Sequence, residues 1–175
     1  MNNIRIITDS SCDLNKDVIE KYNIKVVQLN VSFGDEIYMD SELDNKEFYE
    51  KMKNSKELPK TSCPSPERFI NSYEGDEDVI VLTISSKLSG TYSAALLAKN
   101  MMLEENPNKK IEVIDTKTGS ILHGQLIVKV AKLVEEGKSF EEIVKTIEEI
   151  REDKEFFGSL ETLDNAIKGG RINPL

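Results

Sequence analysis

Residues 79–103 read VIVLTISSKLSGTYSAALLAKNMML, and the order of their parts decides the fold. Residues 79–84 are an unbroken apolar run rich in β-branched side chains, the composition of a strand buried on both faces. Ser85-Ser86-Lys87-Leu88-Ser89-Gly90 is a polar turn. Residues 91–103 then carry Ala94, Ala95, Leu96, Leu97, Ala98, Met101 and Met102 among strong helix formers, which predicts a helix packed closely on the sheet, with Ser89 as its N-cap. A strand that feeds through such a turn into a helix leaves free backbone N–H groups at the C-terminal edge of the sheet, where the helix dipole favours negative charge. Ser89 and Gly90 therefore admit two readings. Either they only begin the helix, or they form an anion site in which Gly90, lacking a Cβ, lets a ligand approach the backbone.

Before this stretch, residues 4–8 (IRIIT) predict a first strand that ends in the polar cluster Asp9-Ser10-Ser11-Cys12-Asp13. A helix over 15–22 and a second strand over 25–33 complete a βαβ unit. Ile37-Tyr38-Met39, after the Gly34-Asp35 turn, reads as a short return strand. Residues 44–54 (DNKEFYEKMKN) predict a charged helix with Phe48 and Met52, at i and i+4, facing inward. Pro64 and Pro66 push Cys63 and Ser65 toward extended backbone, with Ser65 as N-cap and Pro66 at the first position of a helix to about residue 73. Thr61 and Ser62 are thereby held on a stiff loop.

After the central stretch come a strand over 110–115 and a helix over 122–136, with Leu126, Ile127, Val130, Ala131 and Val134 on its apolar side and Gly137 at its end. Ser139-Phe140-Glu141-Glu142 is a capping box that opens a helix to about residue 151. A last strand is expected over 155–160 and a helix over 162–168, stopped by Gly169-Gly170. Strands alternating with helices give an α/β class: a mainly parallel sheet with helices on both faces and ligands at the C-terminal strand edge.

The 175 residues suffice for one well-cored domain. A formal net charge of −9 argues against nucleic acid or an anionic membrane surface as partner, since both demand clustered Lys and Arg. No apolar run is long enough for stable membrane insertion, and the N-terminus enters a strand pattern directly, so a cytoplasmic protein is expected. Cys12 and Cys63 are too few for a disulfide framework, and no Cys/His spacing suggests zinc. The single histidine, His123, reads as an exposed loop residue before a helix rather than a general base, and there is no Gly-x-Ser-x-Gly elbow. A P-loop and a Gly-x-Gly-x-x-Gly are both absent from the sequence. Asp9 and Asp13 lack the tight spacing needed to share a magnesium ion and read as strand-end caps. No metal or cofactor is expected. What remains is a set of neutral hydroxyls on strand-end loops: Ser10, Ser11, Thr61, Ser62, Ser85, Ser86 and Ser89. They can bind a carboxylate but supply no base to act on it, which favours a binding protein over an enzyme.

The succession TDSSCDL (8–14), KTSCPSPERF (60–69), VLTISSKLSGTYSAA (81–95), VIDTKTGS (113–120) and LETLDNAIKGGRI (160–172) resembles the DegV family of bacterial fatty-acid-binding proteins. The resemblance implies an α/β N-terminal domain followed by a second α/β domain, with a long-chain fatty acid buried between them. It also implies a carboxylate held by hydroxyls and amides of two loops, whose matching positions here are Thr61 and Ser62 in the first and Ser89 and Gly90 in the second. By the same resemblance the chain is a carrier that presents the lipid to a separate fatty-acid kinase and is not itself a catalyst. Family members usually continue for roughly another hundred residues, a typical domain length. Residues 1–155 are therefore expected to be the N-terminal lipid-carboxylate-binding domain and 156–175 the start of a truncated second one. Loss of cover over the acyl chain predicts an exposed apolar patch and self-association. Two other readings stay open: a small-molecule phosphoryl-transfer enzyme related to dihydroxyacetone kinases, whose fold the family's resembles, and an interaction domain without a ligand.

Overall fold

Two apolar β-branched runs, around Ile6-Ile7 and Val79–Leu82, pair side by side and set the frame of the computed structural model, which describes residues 3–55, 57–155, 157, 159 and 162–173. In chain order the elements are β1 (Ile4–Asp9), α1 (Lys16–Lys21), β2 (Lys25–Val27), β3 (Asn30–Phe33), β4 (Glu36–Met39), α2 (Asn45–Asn54) and β5 (Lys60–Ser62). There follow α3 (Pro66–Tyr73), β6 (Asp78–Thr83), α4 (Thr91–Glu105), β7 (Ile111–Asp115), α5 (Ser120–Glu135), α6 (Phe140–Glu152) and α7 (Asp164–Lys168).

The main sheet has the order β2-β1-β6-β7 and is parallel throughout, with Thr8 opposite Leu82 and Thr83 opposite Asp115. Side chains alternate across it with period two. Ile6, Ile80, Leu82 and Ile114 pack on one side with Leu126, Ile127 and Val130 of α5 and Ile143 and Ile147 of α6. Ile7, Val79, Val81 and Val113 pack on the other with Phe69 and Tyr73 of α3 and Ala94, Ala95 and Ala98 of α4. The alanines let α4 lie close to the strands, and each fully buried Val, Ile or Leu contributes about 1.5–3 kcal/mol relative to exposure. Helices thus cover both faces of the sheet, as the alternating pattern predicts.

Several local signals act as read. Ser65 precedes α3 with Pro66 at its start. Ser139 and Glu142 form both bonds of the capping box of α6. Gly137, at φ +76°, turns the chain after α5. Among the described residues no helix is long and apolar enough to cross a membrane.

Other expectations need correction. Residues 25–33 are two strands, not one. At Gln28-Leu29 the chain leaves the parallel sheet because Leu29 N donates to Ser10 Oγ at 3.0 Å, while its carbonyl accepts from Asp40 N at 2.9 Å, so neither group can join a ladder. Beyond that break lies a second sheet, antiparallel, of order β4-β3-β5. Thr61 and Ser62 accordingly lie on a strand rather than a loop, paired with Val31 and Asn30. The helix predicted over 122–136 begins two residues earlier, at Ser120, and ends at Glu135. The last helix begins at Asp164. The strand expected over 155–160 falls in large part outside the described residues.

Candidate ligand site at the strand ends

From β1 the chain moves to β2 on one side, and from β6 it moves to β7 on the other. A crevice therefore opens beyond the C-terminal ends of β1 and β6, the place where open α/β sheets bind ligands. Asp9 occupies it, fully buried. Its Oδ1 accepts from Ser11 N at 3.0 Å and Ser11 Oγ at 2.5 Å, and its Oδ2 accepts from Ile84 N at 2.8 Å. At the end of β7, Asp115 Oδ1 accepts from Ser86 N at 3.1 Å and Lys117 N at 2.9 Å. Between them, Ser85 N donates to Thr118 O at 2.8 Å. Three consecutive amides of the loop after β6 are thus fixed by the strands on either side, a preorganised turn whose ordering need not be supplied by a ligand.

That turn delivers Ser89 and Gly90 to the start of α4. The N-cap is Gly90, not Ser89, and it has no side chain to cap with. Ser89 stands one residue outside. Its Oγ lies 2.9 Å from Thr91 Oγ1 and accepts from Thr91 N at 3.4 Å. The amides of Tyr92 and Ser93 in the first turn have no acceptor among the described residues, so the positive end of a 15-residue helix faces outward beside Ser89.

Cys63, one residue after β5, lies against this point. A Cβ placed on Gly90 would be 3.5 Å from Cys63 Sγ, an ordinary contact. The backbone of Gly90, at φ −72°, is open to any residue. The structure therefore brings the end of β5, through Cys63, against the turn that carries Ser89 and Gly90. The strand pleat, however, sends Thr61 and Ser62 to opposite faces. Thr61, opposite buried Val31, looks into a cavity of about 840 Å³ whose walls include Phe48 and Met52 of α2, Leu58 and Pro59, with Asn165 and Lys168 of α7 across from them. Phe48 and Met52 face this cavity as their spacing predicts. Ser62, exposed, accepts from Asn30 Nδ2 at 3.3 Å, while Arg68 Nη1 donates to Asn30 Oδ1 at 3.0 Å and to Gln28 O at 3.1 Å.

Of the other candidate hydroxyls, Ser86 is exposed and three lie in hydrogen bonds within the protein. Ser10 Oγ accepts from Leu29 N, Ser11 is tied to Asp9, and buried Ser85 accepts from Lys87 N. Asp9 caps the end of its strand, as its position suggests. His123 reverses expectation. It lies inside α5, fully buried, because the helix starts at Ser120 and carries it beneath the sheet edge. Its Nε2 is 3.1 Å from Thr8 Oγ1 and 3.3 Å from Leu82 O, and its Nδ1 is 3.5 Å from Ser11 Oγ. Ser11 has a single hydroxyl hydrogen, and Asp9 takes it. The Leu82 carbonyl can only accept, so Nε2 is the protonated nitrogen of the neutral ring, directed at Leu82 O and Thr8 Oγ1, and Thr8 Oγ1 donates its own hydrogen to Asp9 O at 3.4 Å. Burial pushes the imidazole below its ordinary value, against a weaker upward pull from the Asp9 charge. Burial also pushes the Cys12 thiol up, and Cys12 and Cys63 are both free.

Comparison with known proteins agrees with this architecture. A family model described as an uncharacterised protein of the DegV family matches residues 3–175. A DegV domain-containing protein of Clostridium perfringens is 36% identical over 173 residues, covering 97% of this chain and 61% of the relative. The crystal structure of a DegV family protein from Ruminococcus gnavus, refined with vaccenic acid, superposes with a TM-score of 0.90 at 31% identity over 99% of this chain and 63% of that one. The Streptococcus pneumoniae Fatty Acid Kinase (Fak) B3 protein loaded with linoleic acid superposes with a TM-score of 0.76 at 34% identity over 87% of this chain and 55% of that one. The chain spans about three-fifths of the length of the curated relatives it matches.

Proposed function

We propose that this chain, which belongs to the DegV family, binds a long-chain fatty acid and carries it to a separate fatty-acid kinase in the cytoplasm, without acting on it itself. In this reading residues 1–155 form the carboxylate-binding unit. The carboxylate lies at the start of α4, met by Ser89, the Gly90 backbone, Ser62 and Thr61. The acyl tail runs along the cavity walled by Phe48, Met52, Leu58 and Pro59.

The observation that carries the reading is the glycine at 90. Neither its φ of −72° nor its distance from Cys63 requires the absence of a side chain, so the protein's own packing does not account for a glycine there, and close approach of a ligand to the exposed backbone does. The cavity lies within the range of small-molecule sites and sets an apolar wall against polar and charged groups that include Glu57, Lys60, Lys168 and Arg171. The lipid-bound relatives point the same way.

An acyl chain of about fifteen methylenes buries on the order of 12 kcal/mol gross, at about 0.8 kcal/mol each, before ordering and association costs. Hydrogen bonds to a charged carboxylate add roughly 1.5–3 kcal/mol apiece. The tail sets affinity and the head group sets orientation. A carrier must keep that head group reachable, and Thr61, Ser62 and Gly90 are all exposed. His123, whose ring is enclosed by Thr8, Ser11 and Leu82, is not available as a base.

The test is Gly90→Ala. Loss of an N-cap glycine costs within about 1 kcal/mol, so the melting temperature should move by no more than a few degrees, whereas oleate affinity by titration should fall at least tenfold. Equal oleate binding by the variant and the wild type would sink the assignment of the carboxylate to this point. Acyl phosphate formed from oleate and ATP without a second protein would make the chain an enzyme.

A further inference from the structure

Arg68 is a half-buried guanidinium for which no carboxylate lies within ion-pair distance among the described residues. In a chain of net charge −9 that is a costly way to keep a cation, since a desolvated charge without a counter-ion is unfavourable. Its hydrogen bonds say where its influence goes. Nη1 donates to the Gln28 carbonyl at 3.1 Å and to Asn30 Oδ1 at 3.0 Å, and Asn30 Nδ2 lies 3.3 Å from Ser62 Oγ.

The chemistry of these groups fixes every hydrogen along the chain. A guanidinium has donors only, so the Asn30 atom facing it must be the carbonyl oxygen, and the amide cannot be flipped. The atom facing Ser62 is therefore the –NH₂ group, which only donates. Ser62 Oγ must accept, and its own hydrogen is left to point away from Asn30. Ser62 is exposed and one residue from Cys63, which touches Gly90.

We propose that Arg68 is a positioning residue which, through Asn30, keeps the hydrogen of the Ser62 hydroxyl free to donate toward the ligand and so favours a head group that is a strong, charged acceptor, a carboxylate over an alcohol. This rests on the fatty-acid reading and assigns its head-group selectivity to a residue that does not touch the ligand. Polarisation along the chain strengthens the terminal donor, since linked hydrogen bonds reinforce one another and the first is charged.

The experiment compares oleate with oleyl alcohol, which share a tail. The alcohol can donate or accept and is indifferent to the direction of the Ser62 hydrogen. Arg68→Met frees the amide of Asn30 to rotate, and oleate should bind about tenfold more weakly while oleyl alcohol changes by less than about twofold, the low end of what a hydrogen bond to a charged group is worth. Arg68→Lys, whose ammonium also only donates, should recover part of the oleate affinity. Asn30→Asp keeps the shape but turns an acceptor toward Ser62, so oleate should lose tenfold or more. This near-isosteric variant carries the test if Arg68→Met does not fold, which thermal melts will show. Equal losses for oleate and oleyl alcohol would mean a merely structural role and overturn the proposal, as would wild-type oleate affinity in Arg68→Met or Asn30→Asp. Failure of the wild type to bind oleate would instead overturn the fatty-acid reading, and this inference with it.

Discussion

Lowering the pH from 7.5 to 5.5 should destabilise this protein through one residue. His123 is sealed beneath the strand ends with a depressed pKa, so the folded state keeps it neutral at pH values where the unfolded chain protonates it. The unfolded state then binds more protons, and stability falls as the pH drops. The contribution is complete above the unfolded value of about 6.5 and is lost progressively below it, until the folded group itself titrates. For an imidazole that stays neutral in the folded state across the whole window, integration from pH 7.5 to 5.5 gives the upper limit of the loss, about 1.4 kcal/mol, the equivalent of one pH unit of full linkage. For a chain of this length that is about 3–6 °C in melting temperature. The carboxylates held low by partners, Glu77 by Arg5, Glu141 by Lys110, Glu142 by the Ser139 cap and Glu152 by Lys117, have depressed values. Their stabilisation is present above about 4.5 and goes only as the pH falls further, outside the window. Urea unfolding at half-unit pH steps measures the effect, with His123→Gln as the control: less stable throughout, but flat between 7.5 and 5.5. A flat wild-type profile, or an unchanged slope in His123→Gln, would refute the buried neutral imidazole.

Two substitutions probe the same edge of the sheet. Gly124→Ala lies within α5, where alanine is ordinarily favoured by about 0.8–1 kcal/mol, yet its Cβ would sit 2.6 Å from the Cys12 carbonyl oxygen and 3.0 Å from Leu14 Cδ2. Overpacking against backbone costs about 1–3 kcal/mol, so the melting temperature should fall by a few degrees, and a rise in a calorimetric scan would contradict the packing. Ser89→Ala and Thr61→Ala should each weaken oleate binding about ten- to a hundredfold while the tail still holds the lipid; isothermal titration indistinguishable from wild type for both would reduce these hydroxyls to local structure.

The sheet was legible because its signal is redundant. Val79–Leu82 is apolar at every position, which only a strand buried on both faces requires, and the alanines of α4 report how near the helix must lie. Of the second sheet only the return strand at 37–39 was legible; the separation of β3 from β2 was not, because the break within KVVQLNVSF is made by Ser10 and Asp40, partners distant in sequence, accepting from and donating to Leu29. Without β3 as a separate strand, nothing marks Lys60–Ser62 as its antiparallel neighbour, and the prolines that follow suggest a loop. One shift of boundary had a larger effect. Starting α5 at Ser120 rather than 122 places His123 a turn inside a buried helix, and a residue read as exposed becomes one of the most enclosed in the chain.

For the site, the sequence displayed the hydroxyls but not their order of engagement. Seven candidates looked equivalent in the chain. Asp9 takes the Ser11 hydrogen and Ser85 is buried within its own turn, whereas Ser10 and Ser62 each accept from an amide and keep a hydrogen to donate. Arg68 was hidden for a related reason. Nothing in the local sequence PERF sets it apart, and its reach to Asn30 depends on the chain leaving the parallel sheet just before β3. The donors of a carboxylate site are thus written locally, as Ser and Thr beside Gly. Their direction, which decides whether they can serve a group that only accepts, is set by charged residues at the ends of other elements.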